Sequence, residues 1–172
     1  MNHAELNNLF RSRREKIERW QQSLVDEAIA LFKSVSARFK PDPETWPDPA
    51  TGEPNRYVGL LDISEEPKGP RGDFFYKSTT DKGELFFAIQ VTFDQALGAY
   101  PKVQLYVPVA IRFRAGKPEF AFFDTQTQAA RSPEQWNPDM GKFTEAVISE
   151  IEEFLRFDPS QGQRPPSSIG FL

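Results

Sequence analysis

The chain has 172 residues, carries a formal net charge of −4, and contains no cysteine and a single histidine, His3. Disulfides, thiolate chemistry and cysteine-ligated metals are thereby excluded, histidine metal clusters are removed, and no histidine is placed to act as a general base. The acidic balance argues against a dedicated nucleic-acid binder, and the length predicts one domain with a sizeable core.

The first five residues, Met1-Asn2-His3-Ala4-Glu5, lack the basic-then-apolar layout of a signal peptide. No apolar run approaches the ~20 residues of a membrane span. The expectation is a cytoplasmic protein with no membrane contact.

Residues 4–39 read as helix. Leu6, Phe10, Ile17, Trp20, Leu24, Ala28, Leu31, Val35 and Phe39 recur at three- and four-residue steps, and no Pro or Gly intervenes before Lys40. The apolar stripe is interrupted near Arg13, within a basic run of Arg11, Arg13, Arg14, Lys16 and Arg19. One continuous helix would exceed ~50 Å at ~1.5 Å per residue. That is more than a compact domain needs, so its first turns either overhang the body or serve a partner. An overhang is also open to pairing with a second copy of the chain. Glu15 and Glu18 interleave with the bases as helical neighbours, which favours a solvated face over an anion site.

Residues 40–55 hold five prolines, which forbid a helix and predict an extended loop with Trp46 at its middle. A first strand is expected over Arg56–Ile63 and a second over Asp73–Thr79, linked by the turn-rich Glu65–Gly72. Three strands then follow over Glu84–Asp124. Leu85, Phe87, Ile89, Val91 and Phe93 alternate with Phe86, Ala88, Gln90 and Thr92. Val103, Leu105, Val107, Val109, Ile111 and Phe113 alternate with Gln104, Tyr106, Pro108, Ala110, Arg112 and Arg114. Ala115-Gly116 makes a tight turn, and Lys117–Asp124 returns. Pro108 cannot donate to a ladder, so the long middle strand is expected to bend there into two shorter pieces, or else to lie at an edge.

A last helix is expected over Asp139–Arg156, with Phe143, Val147, Ile148, Ile151, Phe154 and Leu155 as its stripe. Residues 1–40 carry eight basic and five acidic groups, and 139–158 two basic and six acidic, so the two helices are expected side by side on one sheet face. The resulting fold class is α+β: a long N-terminal helix, an about five-stranded, mostly antiparallel meander sheet, and a C-terminal helix. Residues 1–158 form the domain, and 159–172 an extended or flexible tail.

No catalytic residue, cofactor motif or metal-ligand spacing stands out. Lys68-Gly69-Pro70-Arg71-Gly72 lacks the spacing of a phosphate loop, and Asp62, Asp73, Glu84, Asp94, Glu119 and Asp124 lie in or beside strands, most of them at strand ends. The expected function is a non-enzymatic protein-binding module, of the size and acidity of immunity proteins, antitoxins, inhibitors or secretion chaperones. Its partner-binding surface is read as the sheet face opposite the helices: Phe86, Tyr106, Arg112, Arg114, Phe120 and Phe122, with Trp46 from the loop. Two alternatives accompany it. The loops and tail can cover that face, or the domain can bind a small molecule in an apolar pocket between sheet and helix.

Overall fold

The first helix, α1 (His3–Phe39), runs for 37 residues, about 55 Å at ~1.5 Å per residue. It starts in a capping box. Asn2 Oδ1 accepts from the Glu5 N–H at 3.0 Å, and Glu5 Oε2 accepts from the Asn2 N–H at 2.9 Å. It stops where Lys40 turns left-handed (φ 46°) and its N–H reaches Ser36 O at 3.0 Å; Pro41 then cannot continue the helix. The structure, a computed structural model, describes residues 2–61, 83–96, 98–125, 127, 129–131, 135–158 and 160, and the backbone of 170–171.

The proline-rich segment expected as a loop is a small hairpin. β1 (Thr45–Pro47) pairs antiparallel with β2 (Pro54–Arg56). Asp48 organises the connection: its carboxylate accepts from the N–H groups of Ala50 (2.8 Å) and Thr51 (3.1 Å). Those two backbone donors hold its carboxyl below the usual value.

The main sheet follows the antiparallel path β3 (Val58–Leu61), β4 (Leu85–Phe93), β5 (Val103–Arg114), β6 (Lys117–Asp124) and β7 (Ala129–Ala130). This bears out the α+β meander, though β7 was not anticipated. The strand expected over Asp73–Thr79 lies outside the described residues, as does the end of the one expected over Arg56–Ile63. Near the C-terminus, β8 (Gly170–Phe171) pairs with Leu105 and Tyr106 of β5.

The break expected at Pro108 does not occur. β5 is one strand of 12 residues. On one side it pairs with β4 along Val103–Ile111, Pro108 opposite Ala88. On the other side its partner changes at this point, from β6 along Val109–Arg114 to β8 at Leu105 and Tyr106. A residue without an N–H fits the gap between two ladders.

The turn Ala115-Gly116 has φ of 50° and 75°, the two positive values of the tight hairpin turn whose twist suits the strands. Alanine tolerates this poorly. Ala115→Asn is expected to raise stability by about 1 kcal/mol, read from the urea midpoint at unchanged slope.

The α2 helix (Met140–Arg156) begins at Asp139, whose Oδ1 accepts from the Lys142 N–H at 3.1 Å. As the alternation and the helical periods imply, both helices cover one sheet face. Leu24, Ala28, Leu31 and Val35 of α1 and Phe143, Val147, Ile148 and Ile151 of α2 share a buried core with Phe87, Ile89, Val107, Val109 and Ile111. The helices lie against each other: Ser34 and Thr144 hydroxyls are 2.8 Å apart, and Arg38 Nε donates to Glu145 Oε1 at 3.0 Å.

Candidate functional site

The two-residue turn fixes the β5–β6 register: Arg114 faces Lys117, Arg112 faces Glu119, Ile111 faces Phe120 and Val109 faces Phe122. Phe120 and Phe122 therefore lie on the helix-covered face, against expectation. Phe120 is fully buried, and both rings pack on Phe143 of α2, with centroids 5.7 and 5.1 Å away.

Phe86, Tyr106, Arg112 and Arg114 do share the second face, but most of it is buried. Phe86, Ala88, Tyr106, Ala110, Ala121 and Phe123 are all buried there. Ala110 and Ala121 are small enough for the rings of Phe86 and Phe123 to stack above them, 4.8 Å apart and nearly parallel, with Trp136 packed beside them. The Tyr106 hydroxyl donates to Gln104 Oε1 at 2.7 Å, and burial raises its pKa. Arg112 Nε donates to Glu119 Oε2 at 2.7 Å while its guanidinium stacks on Trp136, 4.1 Å from the ring centre. Only Arg114 stands exposed.

Trp46 is buried too, in a cluster at the end of the sheet. Lys102 Nζ lies 2.6 Å from Asp94 Oδ1, and 4.9, 5.7 and 5.8 Å from the ring centres of Tyr100, Tyr57 and Trp46. The Tyr57 hydroxyl donates to Asp94 at 3.1 Å, and the Tyr100 hydroxyl to Pro47 O. This box ties the β1–β2 hairpin to the β4–β5 end, and Lys102, its side chain 4% exposed, fills it. The hydrogen bond from Lys102 lowers the Asp94 pKa, and the same bond raises that of Lys102.

The signs set a pH window. The Asp94 contribution is present above the usual carboxylate range and is lost as pH falls through its depressed folded value. The Lys102 contribution is full below the usual lysine value and is lost as pH rises through its raised folded value. Asp94→Asn is expected to lower the melting temperature at neutral pH and to flatten its fall on the acid side, in a pH series of thermal melts. A parallel downward shift with the acid limb unchanged would contradict this assignment.

A cleft of about 240 Å³ opens between β6 and α2, lined by Phe122, Phe143 and Ala146 with Arg131, Asn137 and Glu150. Arg131 Nη1 meets Glu150 Oε1 at 2.9 Å, and its guanidinium lies 4.8 Å over the Phe122 ring.

Among the described residues, four of the six exposed large hydrophobic side chains lie on the first half of α1. Every residue from Asn2 to Arg19 is exposed, and Leu24 is the first fully buried one. Ser34 meets Thr144 and Arg38 meets Glu145, so α2, with 17 residues to the 37 of α1, meets the C-terminal half of α1. The body runs out near Trp20, which packs over Gly83. Beyond that point Leu6, Leu9, Phe10 and Ile17 stand in solvent. The first turns of the helix thus overhang the body. The residues named for the sheet face omitted these four; the signal was the excess length of the helix.

Among the described residues no group of three or more carboxylate or histidine side chains is placed to hold a metal ion. No described helix is long and apolar enough to cross a membrane. Comparison with protein-family models, curated proteins and solved structures returned no match.

Proposed function

We propose that the chain is a non-enzymatic protein-binding module whose docking element is the exposed first half of α1. The observation that carries this reading is the placement of Leu6, Leu9, Phe10 and Ile17 on a capped helix beyond the body. An apolar stripe of this kind on a helix is the usual anchor set for a protein partner. It differs from the sheet-face reading, whose aromatic and arginine side chains are largely engaged within the chain. An inhibitor, antitoxin, immunity or chaperone-like role in the cytoplasm is compatible with such a module. A homodimer uses the same element.

The test compares two baits in nuclease-treated extract: the wild-type chain and the Phe10→Glu/Ile17→Glu variant. The expected result is a stoichiometric protein held by the first and lost by the second. Equal retention on both would contradict the reading.

A second reading is favoured by the cleft beside Arg131. Its Phe122 and Phe143 floor and its guanidinium suit a small ligand with an apolar body and a carboxylate. Native mass spectrometry of the wild type is then expected to show a bound small molecule, absent from Ala146→Phe, which fills the space.

A further inference from the structure

We infer that the partner docked by the first half of α1 is a second copy of this chain, paired antiparallel through residues 3–20. This rests on the docking reading above and adds the occupant and the geometry. The apolar stripe, exposed as far as Ile17 and buried at Leu24, has a particular spacing. Leu6, Phe10, Arg13, Ile17, Trp20 and Leu24 follow one another at steps of four, three, four, three and four residues. That spacing suits the seam of one helix against another, and the buried half, Leu24, Ala28, Leu31 and Val35, keeps steps of three and four as well. Leu6, Phe10 and Ile17 on this seam are 50%, 66% and 41% exposed.

Arg13 decides the direction. In a parallel pair each Arg13 would face the Arg13 of the second copy across an apolar seam, where two like charges repel at short range. Turned antiparallel about a point between Arg11 and Ser12, the seam reads Leu6 on Ile17 and Phe10 on Arg13, each contact made twice. The guanidinium then lies against an aromatic ring, a favourable arrangement. The flanking positions agree. Lys16 meets Leu9 of the second copy and Arg14 meets its Asn7, so no like charges oppose across the seam. Glu15 and Glu18 point away with Arg11 and Arg19, and Glu18 already holds Arg14 at 2.8 Å.

The length of the overhang fits the same arrangement. Residues 3 and 20 are equidistant from the midpoint, so the tip of each helix ends where the other chain's body begins, at Trp20 over Gly83. The helix is also preformed by its capping box and its continuity with the buried half. Association therefore does not have to order it, which lowers the entropic cost of pairing.

The test is sedimentation velocity of the full chain across a concentration series. The wild type is expected to shift from monomer to dimer, and Phe10→Glu/Ile17→Glu to remain monomeric with its melting temperature in dilute solution unchanged. Because the chain has no cysteine, direction can be read separately. A mixture of Leu6→Cys and Ile17→Cys chains is expected to yield the mixed disulfide on mild oxidation, in preference to either symmetric one. A wild type that stays monomeric throughout overturns the self-pairing; the bait comparison above then decides the docking reading by itself. A dimer that survives the double substitution overturns both. A preference for the symmetric disulfides overturns the antiparallel direction.

Discussion

Phe120→Ala is expected to lower the unfolding free energy by about 3–5 kcal/mol, the range for emptying a large aromatic site in a packed core. The side chain is fully buried, shares the core with Ile111 across the β5–β6 ladder, and stacks on Phe143 of α2. Little around it can collapse into the space, because Phe122 and Phe143 are held by the same contact. Urea unfolding gives the comparison directly, with the midpoint moving and the slope retained. A loss below about 1 kcal/mol, the behaviour of a surface residue, would return Phe120 to the exposed face and break the register assigned to β6.

The second large effect separates the two halves of α1. Leu31→Ala is expected to cost about 2–5 kcal/mol, since Leu31 is fully buried between the sheet and α2. Leu9→Ala, on the same helix and of the same chemistry, is expected to change stability by less than about 0.5 kcal/mol in dilute solution. The contrast follows from position alone: Leu9 is 59% exposed, in the half of α1 where no residue from 2 to 19 is buried. Comparable losses at both positions would mean that the first half of the helix packs on the body.

The helices, the three long strands and the face they share were legible because burial imposes its period on the sequence. Leu24, Ala28, Leu31 and Val35 repeat at helical steps, while Phe87, Ile89, Val107 and Val109 alternate. The position of Phe120 was legible too, but through the turn rather than the pattern. A two-residue turn at Ala115-Gly116 requires Arg114 opposite Lys117, and that register carries Phe120 to Ile111 and Glu119 to Arg112. A shift of one residue moves every side chain to the other face, and alternation within β6 does not by itself say which face is which. The box around Lys102 was not legible. Trp46, Tyr57, Asp94 and Tyr100 come from separate segments, and only the folded chain brings them to one ammonium group. Nor does the two-residue β7 leave a periodic trace. The exposed half of α1 was half-legible: its length and the break at Arg13 showed that something overhangs, while which residues overhang depends on where the folded body ends, at Trp20 over Gly83.

Hydrogen–deuterium exchange along α1 as a function of protein concentration tests the central claim most directly. In dilute solution the amides of residues 6–19 are expected to exchange much faster than those of 24–39, which lie in the buried half. As concentration rises, protection is expected to spread into 6–19 while 24–39 stays as it was. Strong protection of 6–19 already in dilute solution would show a helix held by its own body. Exchange there that stays fast at every concentration would show that no second copy docks on it.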